Sequence, residues 1–118
     1  MGGRAMSLDV YLTEQECPTC GRGDEVFSAN ITHNLNAMAG EAGIYELVWR
    51  PEEVPVATAG ELIGPLQTAI AEMERNPDRF RKHNAPNGWG LYEHFVPWLR
   101  KYLAACEQYP DATVRASR

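Results

Sequence analysis

The sequence predicts an α+β fold: a small antiparallel sheet of two to three strands, its first and last strands paired, with four to five helices packed on one face. Three observations predict it. Short stretches near both ends alternate apolar and polar residues, as a half-buried strand requires. The long middle repeats its apolar residues at helical spacing. Gly, Pro and Asn clusters punctuate the boundaries between these stretches.

Taken in order, Ser7 to Leu12 places Leu8, Val10 and Leu12 on one face of a first strand. A turn-rich segment follows, from Thr13 to Asp24. Glu25 to Ala29 makes a second strand, antiparallel to the first across that long loop. Asn30 is expected to cap a helix running to about Glu41, with Ile31, Leu35, Met38 and Ala39 on its apolar stripe. Gly43 fits the left-handed position that ends such a helix. Ile44 to Arg50 is a short helical segment, and Pro51 stops it.

Thr58-Ala59-Gly60-Glu61 has the form of a capping box. It opens a helix carrying Leu62, Leu66, Ala69, Ile70 and Met73 on one face. Pro65 either kinks that helix or moves its start toward Gly64. Asn76-Pro77-Asp78 starts another short helix, with a cap and then proline in the first turn. The last helix spans about Leu91 to Gln108. Leu91, Phe95, Trp98, Leu99, Tyr102, Leu103 and Cys106 form its broad apolar face, and Pro97 lies in its early part. After the Tyr109-Pro110-Asp111 turn, 112–116 alternates again and pairs with the first strand.

At 118 residues the chain is one domain with one modest core. Residues 1–5 read as a vector remnant or a disordered leader, and 6–118 as the globular domain. No apolar run approaches the roughly 20 residues of a membrane span. The N-terminal segment lacks the apolar stretch of a secretory signal. With three cysteines and no signal, a reducing, cytoplasmic setting is the default. A net charge of −5 disfavours nucleic acid as a partner. The basic run Arg75, Arg79, Arg81, Lys82 and His83 reads as a solvated helix face balanced by neighbouring acids.

The residues that can carry chemistry fall into a few groups. Asn30, His33 and Asn34 lie in one amide-rich segment, and Asn87 and Trp89 in another, Asn84 to Gly90. Amides donate and accept hydrogen bonds, so both segments are candidate ligand contacts as well as caps and turns. Asn87-Gly88 is a turn signal, and Gly90 permits close backbone approach. Trp89 either docks on the core or faces a partner. The helix after it offers N–H groups to a small anion. His94 sits on the flank of the last helix. If it meets His33 near a carboxylate, the pair can bind a metal or run acid–base chemistry.

Cys17-Pro18-Thr19-Cys20-Gly21 is half of a zinc-ribbon signature, so Cys17 and Cys20 are candidate zinc ligands. The same residues also read as reduced thiols in an exposed loop or, with less support, as a redox pair. Tyr45 and Trp49 share a helix face and are expected in the core. Phosphate-binding glycine loops, G-x-S-x-G, H-E-x-x-H and the dinucleotide fingerprint are all missing from the sequence.

The segments SLDVYL (7–12), EVFSANITHNL (25–35), AGIYELVWRPEE (42–53), NGWGLYEHFVPW (87–98) and KYLAACEQYPDA (101–112) carry a resemblance. Through them the chain resembles a family of small proteins encoded in phage and prophage genomes. The resemblance implies a mobile-element context, with expression in the cytoplasm of a bacterial host, and no particular reaction. In that family the stretch after the first strand varies, which implies that the Cys17–Cys20 loop is peculiar to this branch. Two functions follow as expectations. One is a small binding or adaptor protein that contacts a protein partner or a small ligand. The other is a small metal-dependent enzyme using His33 and His94, or a protein with a structural zinc knuckle at Cys17 and Cys20.

Overall fold

The computed structural model describes residues 7–14, 23–54, 56–84, 88 and 90–118. Strands β1 (Ser7–Glu14), β2 (Asp24–Thr32) and β3 (Thr113–Ser117) form an antiparallel sheet in the order β2-β1-β3. The register pairs Leu8 with Ile31, Val10 with Ala29 and Ala116, and Leu12 with Phe27 and Val114. Alternation therefore gathers the apolar residues of all three strands on one face. Leu8, Val10 and Leu12 are fully buried there. The opposite face is polar, with Asp9, Tyr11 and Thr13 at its centre.

Five helices cover the apolar face among the described residues: α1 (Asn36–Glu41), α2 (Tyr45–Trp49), α3 (Gly60–Arg75), α4 (Pro77–Arg81) and α5 (Tyr92–Gln108). The expected α+β architecture and the pairing of first and last strands are both present. The two long helices pack on each other. Tyr92 on α5 fixes their relation by donating its hydroxyl to the Met73 carbonyl at 2.9 Å. Leu62, Leu66 and Met73 from α3 and Phe95, Leu99 and Tyr102 from α5 reach zero exposure. Truncating any one of these aliphatic residues to Ala costs about 2–5 kcal/mol, from lost transfer energy plus the cavity left behind.

The structure corrects the sequence reading at the start of the first helix. Asn30 does not cap it; β2 continues through Ile31 to Thr32. Both are β-branched, and Ile31 fits the buried site opposite Leu8. Thr32 is the cap instead, its hydroxyl accepting from the Asn34 N–H at 3.3 Å. A single 3₁₀ turn, His33–Leu35, then leads into α1.

Other boundaries hold with local differences. Gly43 ends α1 with φ at +78°, as the sequence predicts. A second 3₁₀ turn, Pro51–Glu53, follows α2. At the start of α3, Glu61 reaches back to the Ala57 N–H at 3.1 Å, while Ala59 occupies the cap position without a side-chain bond. Thr58 instead bridges to Thr113, so the expected capping box is not made and Glu61 satisfies the N–H one residue before Thr58. Helix α3 runs unbroken through Pro65. Asn76 precedes Pro77 as expected, but its side chain turns back to Glu72 at 2.7 Å. No described helix is long and apolar enough to cross a membrane.

Candidate functional site

The two amide-rich segments meet. Gly90 is buried and has φ at +117°, and a Cβ built on it would lie 2.9 Å from the Asn34 Cβ. Gly90 therefore lies directly on the turn after β2. Only a residue without a side chain permits that approach. Asn84, at the near end of the second segment, accepts from the Tyr92 N–H at 2.8 Å and so caps α5 across the loop.

Beside Asn34, the half-buried His33 is fixed by Trp49. The indole Nε1–H donates to His33 Nδ1 at 3.0 Å. Nδ1 must therefore be unprotonated, and the neutral ring carries its hydrogen on Nε2. Nε2 has no hydrogen-bond partner among the described residues. The half-buried ring keeps one donor unbonded among the described residues. Trp49 is only 2% exposed, stacks on Tyr45 and meets Phe95 edge-on, so this donor stands on a rigid support. Tyr45 in turn accepts from Arg50 at 3.1 Å. That bond, followed by the Glu53 carboxylate, raises the pKa of the guanidinium further.

Asn30 is exposed on the polar face of the sheet, where its amide donates to Ser7 Oγ at 2.9 Å and Asp9 Oδ1 at 2.8 Å. Its carbonyl accepts from the Trp98 indole at 3.1 Å. His94 is exposed on α5, and no hydrogen bond joins it to His33. Among the described residues no three His, Cys, Asp or Glu side chains stand where they could hold a metal. Asn87, Trp89, Cys17 and Cys20 lie outside the described residues.

The start of α5 is not open to an anion in the way its sequence implied. Asn84 takes the Tyr92 N–H, and Leu91 O takes those of His94 and Phe95 at 3.0 and 3.1 Å. Glu93 adds its own carboxylate there. An Arg81 bond at 2.7 Å, followed by a bond to its own backbone, lowers its pKa. The position already carries a negative charge.

A second polar cluster joins α1 to α4. Glu41 accepts from Arg79 at 2.8 Å, pairs with His83 at 3.2 Å and lies 3.7 Å from Lys82. The Arg79 bond, then the His83 bond, bring the Glu41 pKa down to about 2. This cluster absorbs much of the basic run seen in the sequence, as the bland reading of that run expected. Cys106 is fully buried, and burial pushes its thiol pKa up to about 12, far from a reactive thiolate. Near α2 lies an open groove of about 390 Å³, lined by Gly40, Gly43, Tyr45, Glu46, Leu47 and Val54.

Sequence reasoning missed the partner of His33. Trp49 was expected in the core and is there, but nothing in a linear reading ties residues 16 apart across a turn. The role of Gly90 was partly legible, because a glycine before a helix signals a close approach, though not to which residue. No family model matches the chain, and neither a characterised protein nor a solved structure matches it.

Proposed function

We propose that the protein works by contact and not by catalysis, as a small phage-type binding or adaptor protein acting in the cytoplasm of a bacterial host. The observation that carries this reading is the unbonded Nε2–H of the half-buried His33, its ring held by Trp49 beside the Asn34–Gly90 junction. A rigid donor on a half-buried ring suits recognition of a carbonyl or carboxylate oxygen on a protein partner. It suits general-base or ligand chemistry poorly. Freeing the Nε2 lone pair requires the hydrogen to move to Nδ1, which breaks the bond from a buried indole. Among the described residues no three His, Cys, Asp or Glu side chains gather where they could hold a metal, which gives the metal-dependent alternative no support.

The test is affinity capture from lysate of phage-infected bacteria, with wild type beside two variants. His33→Leu removes both ring functions. His33→Gln keeps an acceptor for Trp49 and a donor for the partner. A protein retained by wild type and His33→Gln, and lost by about tenfold or more with His33→Leu, supports the contact reading. Capture indifferent to all three would sink it.

A further inference from the structure

We infer that one partner of this surface is a second copy of the chain, joined through the outer edges of β2 in antiparallel pairing about a twofold axis near Ser28. The inference rests on the reading of His33 as a contact residue. Strand β2 is an edge of the sheet, and among the described residues no strand pairs with its outer side. The opposite edge is protected. Ala57 O accepts from Val114 N at 3.2 Å, and Thr58 bridges to Thr113. Strand β2 has nine residues without Pro or Lys; its register shift at Val26 and its charges Asp24 and Glu25 are confined to its first three residues, leaving Phe27 to Thr32 as a regular uncharged edge. Trp98 takes the Asn30 carbonyl from the helix side, and a carbonyl oxygen keeps a second lone pair.

The occupant is set by complementary groups at the two ends of this one strand. Asp24 and Glu25 are exposed, with no ion pair or hydrogen bond among the described residues. His33 adjoins the other end and offers its Nε2–H without a partner. Antiparallel pairing of two copies brings the acidic end of each strand alongside the donor end of the other, twice by symmetry. Parallel pairing would instead set like charges side by side. Alongside the strand, Val26, Phe27 and Ala29 on β2 and Trp98 on α5, which bonds the Asn30 carbonyl, are only partly buried. Two copies of that strip would be brought together as the sheets join.

The experiment is analytical ultracentrifugation of the full chain across a wide concentration range, with hydrogen exchange at the two extremes. The probes are wild type, His33→Leu and the double variant Asp24→Lys with Glu25→Lys. The charge reversals lie at exposed positions whose side chains make no ion pair or hydrogen bond among the described residues, and Asp24→Lys faces Glu14 across the pair, so folding is preserved. Expected are a wild-type dimer, extra amide protection within 24–32 at high concentration, and association weakened about tenfold or more in the reversal variant. A monomer throughout, a dimer indifferent to the reversal, or a dimer whose β2 amides exchange at the monomer's rate would overturn the inference. The contact reading fails separately. A monomer whose partner capture still depends on His33 removes the dimer and leaves that reading standing.

Discussion

The indole of Trp49 donates to Nδ1 of His33 across 3.0 Å, joining the core to the turn that ends β2. The two residues stand or fall together. His33→Leu leaves a buried N–H without an acceptor and is expected to cost about 1–3 kcal/mol in urea unfolding. Trp49→Phe in the His33→Leu background should cost less than in wild type. The double-mutant cycle should return a coupling of about 0.5–3 kcal/mol. Additive effects would show that the bond contributes nothing.

Gly90 and Gly43 separate two kinds of glycine requirement. Both have positive φ, but a Cβ on Gly43 meets nothing within 4 Å, whereas one on Gly90 meets Asn34. Gly43→Ala should therefore cost about 1 kcal/mol, the backbone term alone. Gly90→Ala should cost about 2–4 kcal/mol, because the two segments must also move apart. Thermal unfolding of the pair checks the order. Equal losses would mean that the junction yields freely.

Tyr102 carries a buried hydroxyl without a hydrogen-bond partner among the described residues, and burial drives its pKa upward. Its ring stacks on Phe27 at 5.9 Å and tilts against Trp98 at 5.6 Å. Tyr102→Phe keeps the ring and removes the unpaired group. The variant should be as stable as wild type or more so, by up to about 1 kcal/mol. A clear loss of stability would mean that the hydroxyl is satisfied in solution.

Glu41 gives the fold a defined acid response. Its pKa falls from the ordinary 4.5 to about 2 in the folded chain, chiefly through Arg79 and then His83. The unfolded state therefore takes up the proton first as pH drops. The stabilisation is fully present above pH about 4.5 and is lost as pH falls toward about 2. Glu41→Gln should flatten the dependence of the unfolding midpoint on pH within that window. An unchanged slope would assign the acid sensitivity to other carboxylates, Glu52 and Glu93 among them, whose pKa values are also lowered.

The sheet and the long helices were legible because each reports itself through a short repeat. Leu8, Val10 and Leu12 declare a strand at period two, and Leu62, Leu66, Ala69, Ile70 and Met73 declare a helix. Ile31 was misread because one apolar residue fits both periods, and only its pairing with Leu8 decides between them. Asn30 shows the same limit. A cap is a local property visible in sequence, but its bonds to Ser7 and Asp9 depend on strand register. The candidate site was legible in its ingredients, His33, Asn34 and Gly90. It was not legible in its assembly, which needs the helix after Gly90 to dock on the turn after Thr32.

The sheet order also governs how the chain is made. Strand β1 is the middle strand, yet Val10 must wait for Ala116, roughly a hundred residues downstream, before its second edge is paired. During synthesis the β1–β2 hairpin can form early, but one flank of its apolar strand stays open until Thr113–Ser117 has been made and has docked. The chain is therefore most exposed to misassociation in the interval between the β1–β2 pairing and the docking of β3. Loss of β3 by premature termination should yield aggregates and not a smaller folded product.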